Sequence, residues 1–150
     1  MPSRLRALLH CCHIPVTVSS LEAALLAGAA GRPVSVPNVS IQLSDLTDEN
    51  AVLAAEKRLQ VGAGGTPCPF LKGAACSVYE HRPIACRTLV NLDDDELLCR
   101  AAAADAEPAW VPYADARSLK ALALVAQAGA TFADIRQFFP RSGLVRVAAD

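Results

Sequence analysis

A chain of 150 residues with a formal net charge of −1 and scattered basic residues is long enough to bury a core, and it implies neither nucleic acid nor an anionic membrane as a partner. Hydrophobic residues make up 53% of it, much of that alanine, and aromatics only 5%, which predicts an Ala/Leu-packed helical core. Two early arginines followed by a short apolar run make no secretory h-region, and no window approaches the ~18 uninterrupted apolar residues of a membrane span; the expectation is one cytoplasmic domain over residues 1–150.

In chain order, Ser19-Ser20-Leu21-Glu22 has the spacing of a capping box. It opens a helix through "LEAALLAGAA" that Gly31 and Pro33 close. "PVSVPNVSIQLSD" predicts an extended connection with at most one short strand. Asp45 or Thr47 is the expected cap of a second helix, "DENAVLAAEKRLQ", which ends where "VGAGG" begins. An irregular loop is expected from about Gly62 to Arg87. "DDDELLCRAAAADAE" has acids in the first turn of a short helix, where they suit the macrodipole, and "PAWVPY" breaks the chain. "ADARSLKALALVAQAG" resumes as a helix with Leu119, Leu122 and Val125 on one face. Thr131 with Asp134 then begins another, "FADIRQFF", ended by Pro140. Residues 114–140 are thus expected to form a helical pair. The predicted fold class is mainly α: a small single-domain helical protein with an irregular cysteine-rich metal-binding loop.

The loop carries the chemistry. Cys68, Cys76 and Cys86 stand among Pro, Gly, Lys, Glu, His and Arg, unlike inert core cysteines, and a chain of this size needs no disulfides to stay folded. In a reducing compartment such thiols point to metal or redox chemistry. A tetrahedral thiolate site needs sulfurs about 3.8 Å apart, and thiolates that close require a neutralising cation. Pro67 and Pro69 fix the chain around Cys68, and Gly73 permits the turn before Cys76. Arg82 and Arg87 flank Cys86, where their charge favours a thiolate. Tyr79, Phe70 and Leu71 are expected to wall the site. Cys99, in the apolar run "ELLCRAAAA", fits ordinary core packing as well as ligation. His10, His13 and His81 are expected to be solvent-facing or hydrogen-bonded. No G-x-S-x-G or H-E-x-x-H is present and no phosphate loop follows a strand, so no catalytic motif is identified and a non-enzymatic role is favoured.

The run "CPFLKGAACSVYEHRPIACR", with "CCHIPVTVSSLEAALLA" upstream, resembles the YkgJ-like cysteine-cluster family, also called CxxCxxCC, over about residues 8–105. The resemblance implies a zinc- or iron-chelating domain. It implies Cys11, Cys12, Cys68, Cys76 and Cys86 as ligands, with Cys99 as a possible addition. Two earlier cysteines of the family pattern fall at Leu5 and Leu8 here, so the site draws on the remaining five. Adjacent cysteines crowd a compact site; one of Cys11 and Cys12 is expected to ligate, and the rigid lead into the capped helix favours Cys12. Sulfur-rich ligation admits zinc or iron, and the irregular spacing with surplus thiols leans to an iron–sulfur cluster. The alternative is a thiol redox enzyme or sensor using the vicinal Cys11–Cys12 pair.

Overall fold

The computed structural model describes residues 12–63, 65–73, 75–88 and 117–141. The expected helix "DDDELLCRAAAADAE" and the break "PAWVPY" lie outside the described residues, as do His10, Cys11 and Cys99.

The chain is not mainly α. Among the described residues about 50% are helical and 13% are in strands, arranged in two sheets, so the fold is mixed α/β. In chain order the elements are β1 (Thr17–Ser19), α1 (Ser20–Ala30), β2 (Ile41–Gln42) and α2 (Glu49–Ala63). After them come β3 (Leu71–Lys72), β4 (Ala75–Cys76), α3 (Ile84–Arg87), α4 (Arg117–Ala126), β5 (Thr131–Asp134) and α5 (Ile135–Phe138). Single 3-10 turns cover Leu43–Asp45 and Tyr79–His81.

The main correction concerns the C-terminal segment. Thr131–Asp134 is not the first turn of a helix but the central strand of a three-stranded antiparallel sheet, in the order β1-β5-β2. Thr131 and Asp134 are both cap-type residues, but only Asp134 caps: its carboxylate accepts the amide of Arg136, and α5 begins at Ile135. The residues before it are paired on both edges, Val18 with Ala133 and Ile41 with Phe132. Two flanking strands and burial decide the local conformation over propensity. The expected helical pair over 114–140 is therefore a helix, a strand and one further helical turn.

Strand alternation splits the core across this sheet. Val18 and Ala133 join Leu26, Phe70, Phe138 and Phe139 in the larger cluster; Ile41 and Phe132 join Ala55 and Ala130 in the smaller one. Phe70 and Phe139 meet edge to face with ring centroids 4.8 Å apart.

The first helix forms as its sequence implies. The Ser19 hydroxyl accepts the Glu22 amide and the Glu22 carboxylate accepts the Ser19 amide; Gly31 closes the helix in the left-handed conformation at φ 62°. For α2 the cap is Asp48 rather than Asp45 or Thr47, since its carboxylate accepts the Ala51 amide, and the helix runs on through Gly62 to Ala63. Helix α4 forms where expected, but Leu119, Leu122 and Val125 on its apolar face are 53%, 69% and 70% exposed. Among the described residues no helix is long and apolar enough to cross a membrane.

Candidate metal centre

Four cysteines reach one core region from four places in the chain. Cys12 precedes β1 in the turn that Pro15 ends, Cys68 sits between two prolines beyond α2, Cys76 lies on β4 and Cys86 lies in α3. Cys12, Cys68 and Cys86 are buried in the larger hydrophobic cluster, and half-buried Cys76 packs against it.

The loop that carries three of them is more ordered than its glycines and prolines suggest. Gly73, at φ 58°, lets β3 turn back on β4, so that Leu71 pairs with Cys76 and Lys72 with Ala75. The Ser77 amide and hydroxyl both donate to the Phe70 carbonyl, at 2.8 and 2.9 Å, and close the hairpin. Pro83 precedes α3, and the first amide of that short helix, Ile84 N–H, donates to the Glu22 carboxylate at 2.8 Å. Glu22 thus caps α1 and holds the turn bearing Cys86 at the same time.

Cys12 and Cys68 are joined twice. The Cys68 amide donates to the Cys12 carbonyl at 2.6 Å, and the Cys12 thiol hydrogen-bonds to the Cys68 sulfur. That thiol bond is the largest influence holding Cys68 below the ordinary thiol range. Burial opposes it, while the Phe70 amide and the Arg136 guanidinium act with it. Cys76 is near enough to Cys68 for its negative charge to push the other way.

The donor chemistry fits a soft cation: thiols from separate elements lie in or against one hydrophobic cluster, and Cys68 is predisposed to lose its proton. Among the described residues, however, no three His, Cys, Asp or Glu side chains are closed around a common point as a metal site requires. Cys12 and Cys68 are in contact, Cys76 is within reach of Cys68, and Cys86 shares their cluster.

The other expected site residues fall as follows. Tyr79 is half-buried and carries the Arg82 guanidinium over its ring at 3.9 Å. Arg82 donates to the Tyr79 carbonyl, and Arg87 donates to the carbonyls of Arg82 and Glu80 at 2.6 and 2.5 Å, so both arginines brace the turn before Cys86. Phe70 is buried against Phe139 with its amide toward Cys68. His13 and His81 are exposed.

A buried cation that bears on Cys68 is Arg136, for which the sequence raised no expectation. It is 8% exposed, and its ion pair with the 1% exposed Asp134 spans 3.0 Å. Its signal was present: an Asp-x-Arg inside the apolar run "FADIRQFF" is a pair of charges where charges are rarely buried alone. Arg141 was missed as well, and donates to the Cys68 carbonyl at 3.0 Å.

Compared with known proteins, residues 9–105 match the family model CxxCxxCC, described as "Putative zinc- or iron-chelating domain". All six cysteines fall inside the matched stretch. No curated protein and no solved structure matches the chain. The family description supports metal binding in general and fits zinc or iron.

Proposed function

The chain belongs to the CxxCxxCC family, and from that premise we propose that it binds zinc or iron through a cysteine-thiolate site built on Cys12, Cys68, Cys76 and Cys86. The observation that carries this reading is the meeting of Cys12 and Cys68, which lie 56 residues apart in sequence yet share a backbone and a thiol hydrogen bond. Cys11 and Cys99 complete the candidate set, with Cys12 rather than Cys11 as the ligand from the vicinal pair. When bound, the metal supplies the charge that lets several thiolates sit together in an apolar pocket.

The protein's own part is to gather and predispose the donors. The Cys12 thiol, the Phe70 amide and Arg136 favour the Cys68 thiolate, and the β3–β4 hairpin and α3 carry Cys76 and Cys86 to the same hydrophobic cluster. The surplus of thiols on separate elements favours an iron–sulfur cluster over a lone zinc ion. Both ends of the described chain meet in one core, which supports a single domain. A reducing, cytoplasmic setting suits this many thiols. The thiol-switch alternative on Cys11–Cys12 is the second reading, and the contact between Cys12 and Cys68 is what favours the thiolate site over it.

Single serine substitutions test the ligand set. Cys12→Ser, Cys68→Ser, Cys76→Ser and Cys86→Ser should each lower metal affinity at least tenfold, read by competition with a chromophoric chelator, while Cys99→Ala retains it. Wild-type affinity in both Cys68→Ser and Cys76→Ser would overturn the assignment.

A further inference from the structure

The guanidinium of Arg136 has a use for each of its nitrogens. Nη1 donates to both carboxylate oxygens of Asp134, each at 3.0 Å. Nε donates to the Thr66 carbonyl. Nη2 donates to the Ile14 carbonyl at 3.1 Å and reaches the Cys12 carbonyl at 3.4 Å. Asp134 is fixed in turn, accepting the Val16 amide at 2.7 Å and the Arg136 amide at 2.9 Å. One buried side chain therefore ties the segment leaving Cys12, the segment entering Cys68 and the β5–α5 junction to a single point. Both residues of the pair lie beyond the matched stretch 9–105.

We propose that Arg136 is a positioning residue of the thiol site: anchored on Asp134, it holds the Cys12–Ile14 and Thr66–Cys68 segments together so that the two thiols meet. The inference rests on the thiolate-site reading above for its functional meaning and on the hydrogen bonds alone for its geometry. Most of the contacts made by Arg136 go to main-chain carbonyls, which carry no chemistry of their own. Their placement on both cysteine-bearing segments, which are remote in sequence, is what a pure core ion pair does not need. A fork with fixed donors on three sides is also what lysine cannot imitate, since an ammonium is a single point on a flexible stem. In this account the 131–141 segment supplies no ligand and still decides whether the N-terminal and loop ligands converge.

Arg136→Lys carries the test, because it keeps a cation beside Asp134 and so avoids stranding a buried carboxylate. An Asp134→Asn/Arg136→Gln double variant removes both charges together. Phe132→Leu, in the smaller core cluster, is a control for general loss of stability. The first readout is cobalt(II) titration, in which thiolate-to-cobalt charge-transfer intensity reports sulfur ligation. The second needs no metal: diamide-driven formation of a Cys12–Cys68 disulfide, mapped by mass spectrometry in protein with the other four cysteines replaced.

Arg136→Lys and the double variant should bind cobalt at least tenfold more weakly and form the disulfide several-fold more slowly, while Phe132→Leu behaves as wild type in both. Wild-type cobalt affinity and disulfide rate in Arg136→Lys overturn the proposal, as does failure of the otherwise unaltered protein to form the Cys12–Cys68 disulfide. Equal losses in Phe132→Leu overturn it too, by showing a merely structural role. If the unaltered protein binds no metal, the proposed function falls while the disulfide arm still decides whether Arg136 positions the thiols.

Discussion

Replacing Asp134 with alanine removes a carboxylate that is 1% exposed and accepts from the Val16 amide, the Arg136 amide and the Arg136 guanidinium. Two consequences set the magnitude. The Val16 amide loses its acceptor, at a cost of about 1–3 kcal/mol for a buried orphaned donor. Arg136 is left as a buried cation without its counter-charge, which costs about 3–5 kcal/mol. The remaining Arg136 bonds to Thr66, Cys12 and Ile14 hold the second figure near its lower end, so the sum is about 4–6 kcal/mol. A domain of this size has about 5–15 kcal/mol in all, so the variant should fold marginally, with a midpoint lower by roughly 3 °C per kcal/mol lost. Urea denaturation of Asp134→Ala, Arg136→Ala and the double variant gives the coupling directly. The two single losses should sum to more than the loss in the double by about 2 kcal/mol, within the range for contacting pairs. Additive losses, or an Asp134→Ala loss below about 1 kcal/mol, would refute the claim that this pair ties the Cys12 and Cys68 segments to the β5–α5 junction.

Ser19→Ala removes an N-cap with no exposed surface, whose hydroxyl accepts the Glu22 amide and also donates to Gln127; it should cost about 1–2 kcal/mol in urea denaturation, and a loss within error of zero would contradict the cap assignment. Cys68 is held below the ordinary thiol range, chiefly by the Cys12 thiol. Its contribution to folding is therefore complete above the unfolded thiol value and declines as pH falls through the folded one. In metal-free protein the stability difference between wild type and Cys68→Ala should accordingly grow from neutral pH to about pH 9. A flat or falling difference would show that Cys68 gains no stabilisation as a thiolate.

What the sequence disclosed, and what it hid, follows from the range of the interactions involved. The capping box at Ser19 and Glu22 and the left-handed Gly31 are local, and both stand where spacing put them. The extent of α2 depended on neighbours beyond its own signals: Gly62 remains helical with its carbonyl held by the Gln137 side chain at 2.7 Å. Strand β5 was hidden for a stronger reason. "TFAD" carries helix-start residues, and only pairing with segments more than 80 positions away makes it a strand. The same holds at the site. The cysteine-rich loop was conspicuous in composition; the Asp-x-Arg spacing marks Arg136 as half of a buried pair, but only long-range contacts put it against the Cys12 and Thr66 segments. Arg82 and Arg87, which flank Cys86 in sequence, donate to backbone carbonyls of the turn before it, a role that their spacing does not announce.

Metal binding by these thiols stands or falls on metal analysis of protein purified without oxygen. Elemental analysis with a visible spectrum should find stoichiometric zinc, or iron with inorganic sulfide in a brown protein, and removing the metal should lower the melting temperature. Metal-free protein, whose melting temperature is unmoved when zinc or ferrous iron is added under reducing conditions, would contradict it.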